Sequence, residues 1–215
     1  MQPDVLHAGE SLNNASAVMI LVHGRGSTAQ DILSLGQSFV QPGLAFLAPQ
    51  APNYSWYPYS FLSPLDANQP YLDNALTILG NLFMYLESLD IPSQYVLLMG
   101  FSQGACLSLE FAARNARRFG GVVGLSGGLI GPPGIQFSYP GSFDATPVFL
   151  GCSNPDPHIP VERVHETDRI LEKMFAKVTK RIYPNLGHTI NDDEIDFIRR
   201  MISDLPKRNS REIEN

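Results

Sequence analysis

Two cysteines, one tryptophan and no long apolar run are the plain shortages of this 215-residue chain. Cys106 and Cys152 cannot build a disulfide framework and read as packed thiols. Basic charge is also scarce: Lys and Arg number 15 against 21 Asp and Glu, a formal net charge of −6. With no basic stripe or tail to neutralise a phosphate backbone, nucleic acid is excluded as an expected partner. No apolar window approaches the length needed to cross a bilayer, and Met-Gln-Pro-Asp-Val at the start lacks a basic region followed by an apolar stretch. The expectation is a cytoplasmic protein without stable membrane insertion. Cys152, Asp156, His158 and His165 are all ligand types in a short stretch, but their spacing matches no zinc signature and Pro157 and Pro160 interrupt it. No metal is expected there.

What is present is a good supply of core. Apolar residues make up 44% of the chain, and no shift of composition marks a second domain. Short apolar or β-rich runs recur at Ala17 to Val22, Leu44 to Leu47, Val96 to Met99, Gly121 to Leu125, Pro147 to Leu150 and Val178 to Tyr183. Helical patterns lie between them, at Asp31 to Phe39, Tyr71 to Leu89, Ala105 to Ala116, Val161 to Lys177 and Asp192 to Leu205. Strands alternating with helices imply one α/β domain, residues 1–206, around a mostly parallel twisted sheet with helices on both faces. Val5 to Glu10 reads as an edge strand, and the polar stretch 207–215 as a frayed tail. No insertion is long enough for a separate lid domain.

Chemistry enters at Gly100-Phe101-Ser102-Gln103-Gly104, which follows an apolar strand and opens an alanine-rich helix. Strand, tight turn and helix in that order define a nucleophile elbow, which lifts the serine oxygen clear of the sheet. The two glycines are needed because strand and helix cross closely there. Gly124-Leu125-Ser126-Gly127-Gly128 matches the same pattern, but Leu-Ile-Gly-Pro-Pro-Gly follows it and cannot open a helix. Ser102 is therefore the expected nucleophile.

A serine hydroxyl needs a base, and the base a carboxylate to hold its tautomer. Of the five histidines, His188 sits after the last strand and before the last helix, with Gly187 to turn the chain. His23 ends the first strand, where it organises the loop that follows. The acid is assigned to Asp156, in the proline-rich connection leaving the strand that begins at Pro147; Asn154, Asp168 and Asp144 are poorer placed. The order Ser102, Asp156, His188 is that of the α/β-hydrolase fold rather than of other serine-triad folds. The backbone N–H groups of Gln103 and Arg25 are the expected oxyanion donors, while the Arg25 side chain is expected to be exposed. Gly24-Arg25-Gly26-Ser27-Thr28-Ala29 also fits a dinucleotide fingerprint, but no acidic residue ends the second strand to hold a ribose, so no organic cofactor is expected.

Two loops are rich enough to shape a site. Residues 53–64 hold six large apolar or aromatic side chains, among them Trp56 and Phe61, and residues 129–141 hold Phe137 and Tyr139. Trp56, Phe61 and Ile159 are assigned to substrate binding.

Taken together, Leu21-Val22-His23-Gly24, Gly100-Phe101-Ser102-Gln103-Gly104, Asp156-Pro157-His158-Ile159-Pro160 and Gly187-His188 resemble the phospholipase/carboxylesterase family, which includes acyl-protein thioesterases and small bacterial esterases. The likeness runs from residue 16 to about 204. It implies a compact single-domain α/β-hydrolase without metal or organic cofactor, cleaving carboxylic esters or thioesters, with a homodimer unsurprising. One departure is that Gly151 to Asp156 is longer than the G-x-x-D usual in the family. Two other readings stay open: an α/β-hydrolase acting on ring-cleavage lactones or C–C bonds, and a binding or regulatory protein on the same scaffold.

Overall fold

The computed structural model describes residues 4–208. Seven strands form one sheet: β1 (Val5–Gly9), β2 (Ala17–Val22), β3 (Leu44–Pro49), β4 (Val96–Phe101), β5 (Gly121–Leu125), β6 (Pro147–Asn154) and β7 (Lys177–Pro184), in the order β1-β3-β2-β4-β5-β6-β7. All neighbouring pairs are parallel except β1 with β3, so Val5–Gly9 is the edge strand its sequence suggested.

The central strands are buried on both faces, which is why they read as continuous apolar runs rather than alternating ones. Along β2, Val18, Ile20 and Val22 join one apolar cluster and Ala17, Met19 and Leu21 the other. The first cluster is covered by α2 (Tyr71–Ser88), α3 (Gln103–Arg114) and α4 (Val161–Lys173); the second by α1 (Ala29–Gly36) and α5 (Asp192–Ser203). On α2 the buried stripe is Leu72, Leu79, Leu82, Phe83 and Leu86, with Leu76 half-buried at its margin. Each such side chain contributes roughly 2 kcal/mol of burial. Among the described residues no element stands apart from the sheet as a lid.

Several elements differ from the sequence reading at their ends. Helix α1 stops at Gly36 and hands over to a 3-10 turn, Gln37–Phe39. Helix α4 ends at Lys173, because β7 begins at Lys177, inside the expected helix. Strand β6 runs four residues beyond Leu150, to Asn154, paired with β7 up to Pro184. That extension holds Gly151 to Asn154 in the sheet, two residues short of Asp156. The expected tail needs correction at its start. Arg208 is buried, its N–H donating to the Ser16 carbonyl at 3.0 Å, because the chain folds back beside β2. The remainder, 209–215, lies outside the described residues.

Helix α5 begins with a reciprocal capping box: Asn191 Oδ1 accepts from Glu194 N at 2.9 Å, and Glu194 Oε2 accepts from Asn191 N at 3.0 Å. Glu194 is buried against Gly151, where a Cβ would collide with its Oε1. Burial pushes its carboxyl up to about 7, against the pull of the Asn191 N–H. Between the ordinary glutamate value and about 7 the folded chain holds a proton that the unfolded chain releases, so stability is lost as pH rises through that window. Glu194→Gln should therefore be more stable than the parent at pH 8, by a margin on the order of 1–3 kcal/mol, and show little gain at pH 5. Urea midpoints at the two pH values measure the difference.

Candidate active site

The turn between β4 and α3 sets the position of Ser102. Its backbone sits at φ 55° and ψ −119°, in the left-handed half of conformational space, where a non-glycine residue needs outside support. Support comes from the Ser102 N–H, which donates to Leu125 O at 2.9 Å, and from Ser102 O, which accepts from Cys106 N at 3.0 Å. A Cβ at Gly100 would collide with the Gly104 carbonyl, and one at Gly104 with the Val22 carbonyl. Both glycines are sterically required. Ser126 has a similar backbone, φ 50°, with its N–H donating to Gly151 O at 2.7 Å, but it is buried and no helix follows.

His188 and Asp156 arrive from two loops at the ends of β7 and β6. His188 Nε2 lies 2.9 Å from Ser102 Oγ, and His188 Nδ1 lies 2.8 Å from Asp156 Oδ2 and 3.1 Å from Oδ1. The imidazole is flanked by Phe101 (centroids 5.0 Å) and, edge-on, by His158 (4.8 Å). The Asp156 side chain is fully covered, and its Oδ1 also accepts from His158 N at 2.8 Å and Ile159 N at 3.0 Å. Burial pushes this carboxyl up, but the hydrogen bonds from His188 and the two backbone N–H groups outweigh it and hold the group below the usual carboxylate range. It is ionised near neutrality.

Ser153 joins the two loops, a role that sequence reasoning missed. Buried at the end of β6, its hydroxyl donates to Pro155 O and accepts from Gly187 N, both at 2.9 Å. Only its place on a strand longer than expected could have revealed it.

On the opposite side, the loop after β2 carries Arg25. Gly24 packs against the elbow, and a Cβ there would stand 3.4 Å from both the Ser102 Cβ and the Phe101 carbonyl. Among the described residues neither the Arg25 N–H nor the Gln103 N–H has an acceptor, and both residues line the cavity over Ser102. His23 holds this loop. Ala51 N donates to its Nε2 at 3.0 Å, so the ring proton is on Nδ1 and donates to Gly24 O at 2.8 Å. Burial lowers the affinity of this imidazole for a second proton.

The aromatic loop 53–64 is strapped to the same point. The Gln103 side chain accepts from Trp56 N at 2.9 Å and donates to Tyr57 O at 2.8 Å. The Arg25 guanidinium donates to Pro58 O and Tyr59 O, each at 2.7 Å. Exposed as expected, it is committed to the loop.

A cavity of about 520 Å³ opens above Ser102, with Tyr57, Tyr59, Phe61, Cys106, Ile159 and His188 in its walls. Phe61 and Ile159 are thus at the site, but Trp56 is not. The indole is buried with Nε1 donating to His23 O at 2.8 Å, and it faces a separate cavity of about 370 Å³ shared with Tyr71, Ala75 and Ile78. Its N–H is taken up by the backbone of the loop that follows β2. Phe137 and Tyr139 also lie away from the main cavity: Tyr139 Oη donates to the buried Glu110 at 2.9 Å, and Arg163 stacks over Phe137.

These features meet their likeness among known proteins. A family profile described as Phospholipase/Carboxylesterase matches residues 8–205. The chain is 44% identical to a phospholipase/carboxylesterase from Dyadobacter fermentans, covering 94% of this chain and 96% of that one, and its fold superposes on that crystal structure with a TM-score of 0.89. It is 31% identical to an acyl-protein thioesterase 1 from Debaryomyces hansenii, over 57% of this chain and about half, 53%, of that protein. The Candida albicans acyl-protein thioesterase 1 matches at 23% identity over 91% of this chain and 95% of its own length. The chain belongs to the phospholipase/carboxylesterase family of the α/β-hydrolase fold.

Proposed function

We propose that this protein is a serine hydrolase that cleaves carboxylic esters or thioesters of small to medium acyl groups through an acyl-enzyme intermediate. The observation that carries the reading is the unbroken chain of contacts from Asp156 Oδ2 through His188 to Ser102 Oγ, at 2.8 Å and 2.9 Å. Likeness to proteins named phospholipase/carboxylesterase and acyl-protein thioesterase supports the substrate class.

In this mechanism Ser102 Oγ attacks the acyl carbonyl as His188 Nε2 takes its proton. Asp156, bonded to Nδ1, keeps Nε2 free to accept and stabilises the imidazolium that forms. The oxyanion accepts hydrogen bonds from the N–H groups of Arg25 and Gln103, each contributing about 3 kcal/mol to the transition state. Gln103 sits at the first turn of α3, where the helix dipole adds to the field. Collapse expels the alkoxide or thiolate, which takes the proton from His188. Water then repeats the sequence on the acyl-enzyme, with His188 as base again. The cavity of about 520 Å³ fits a modest acyl group, and no cofactor is called for.

Three outcomes test the proposal. Ser102→Ala should lower kcat on a 4-nitrophenyl butyrate assay by roughly 10⁴-fold or more and abolish labelling by a fluorophosphonate probe; near-parental turnover would refute the nucleophile. An active parent that the probe leaves unlabelled would point instead to a binding protein with contaminating activity. Gln103→Ala keeps the backbone N–H but frees the aromatic loop, so kcat should fall about ten- to a hundredfold with the labelled serine unchanged. A change confined to KM would count against that positioning role.

A further inference from the structure

One wall of the cavity over Ser102 is held by side chains that the hydrolytic steps leave unused. Phe61 and Ile159 are both buried and line that cavity, Phe61 from the loop 53–64 and Ile159 from the connection between β6 and α4. The residues just before Phe61 are tied to Arg25 and Asn68: Arg25 takes the carbonyls of Pro58 and Tyr59, and Asn68 bonds Tyr59 N and Ser60 O. Phe61 depends on a different segment. Among the described residues the one hydrogen bond on its main chain is from Gly131 N–H to Phe61 O, at 2.8 Å.

Gly131 belongs to a stretch gripped from two helices. Arg163, in the first turn of α4, donates through Nη1 to Leu129 O at 2.7 Å and to Gly131 O at 2.8 Å, and through Nη2 to Pro132 O at 3.2 Å. Leu129 N donates to Thr167 Oγ1, and Ile130 N to Glu110 Oε2 on α3, each at 3.0 Å. Packing there is close as well, since a Cβ at Gly128 would stand 2.8 Å from Arg163 Cγ. The Arg163 side chain is 4% exposed, with its Nε paired to Glu166 at 2.9 Å. A buried guanidinium adds little net stability, because desolvation offsets much of what its bonds return. What its rigid fork of donors fixes is the place of the chain it holds.

The same arginine stands close behind Ile159. Helix α4 opens after Pro160, and Arg163 N–H donates to Pro160 O at 3.0 Å. A short path therefore runs from Ile159 along the chain to Arg163, across the guanidinium to Gly131, and through the Gly131 N–H to Phe61. Its two ends are apolar residues of one cavity, and the hydrocarbon chain of an acyl group is the part of an ester that an apolar wall takes up. Resting on the esterase reading, we propose that Arg163 is a positioning residue that fixes Phe61 relative to Ile159 and so sets the longest acyl chain the cavity accepts. It acts through Phe61 and bonds to none of Ser102, Asp156 and His188. Without the guanidinium, Leu129 O and Gly131 O lose their donor, the stretch 129–132 is released, and Phe61 yields to a longer chain.

The test uses 4-nitrophenyl esters of straight alkanoic acids of increasing length and reads a fall-off ratio: kcat/KM for the best-cleaved ester divided by that for the ester four carbons longer. In the parent the ratio should be about tenfold or more, the rejection that a fixed apolar wall gives to added methylenes. Arg163→Met should bring it to about threefold or less, with the change carried by the KM of the longer ester. Arg163→Lys should restore the parent ratio, because one ammonium in the place of Nη1 can serve both Leu129 O and Gly131 O. Leu171→Ala, a buried change further along α4, is the control for lost stability: it should lower Tm and leave the ratio alone. Phe61→Ala should flatten the ratio by itself, and Arg163→Met added to it should flatten it no further. A parent without a fall-off, or a fall-off that survives Phe61→Ala, overturns the proposal even if Arg163→Met does not fold. So does a parent-like ratio in Arg163→Met, an Arg163→Lys enzyme as flat as Arg163→Met, or an equal flattening by Leu171→Ala. Failure of the parent to cleave any of these esters would defeat the esterase reading itself.

Discussion

Everything at the site depends on one close crossing of backbone. Where β4 turns into α3, Gly100 and Gly104 let the chain double back against the end of β2 with no room for a Cβ at either position. That crossing forces Ser102 into a positive φ, and the hydrogen bond from its N–H to Leu125 holds it there. Strain of this kind costs roughly 1–3 kcal/mol and persists only when the surroundings over-determine it. Here a sheet buried on both faces supplies that excess. The energy of folding is thus used locally to present one hydroxyl and one helix N-terminus to the same cavity.

Around the crossing, polar side chains tie loops to one another rather than to solvent. His23 and Trp56 fasten the Gly24–Arg25 turn, the Gln103 and Arg25 side chains fasten residues 56–59, and Ser153 fastens the acid loop to the base loop. Each tie is a modest interaction, about 1 kcal/mol net. Their value lies in fixing directions. Two backbone donors, an imidazole and a carboxylate come from four separate segments, and hydrolysis of the kind proposed tolerates errors of only a fraction of an ångström.

Much of this was legible in the residues. The double-sided burial of β2, β4 and β5 made their runs unmistakable, and Asn191 announced the start of α5 because side-chain capping is a local interaction. Ser102, Asp156 and His188, which the structure brings into contact, stood out because strand ends and turn residues mark them. Less was legible where the outcome depends on distant partners. The end of β6 was set by pairing with β7, not by its own composition. Trp56 was read as a pocket residue from its size and its loop, but its N–H finds a carbonyl in another segment and turns it inward. Arg208, in a stretch with no pattern at all, is held by the carbonyls of residues 15 and 16.

Ser126 shows how little a five-residue pattern decides. The end of β5 repeats the elbow of β4 down to the sign of φ and the bond to the neighbouring strand, yet it leads into turns instead of a helix. The sheet therefore offers two like-shaped corners side by side, and among the described residues only the one at Ser102 leads straight into a helix. Under the mechanism proposed above, giving the Ser126 corner the same part would take a helix behind it as well, since a serine with a like backbone is already in place.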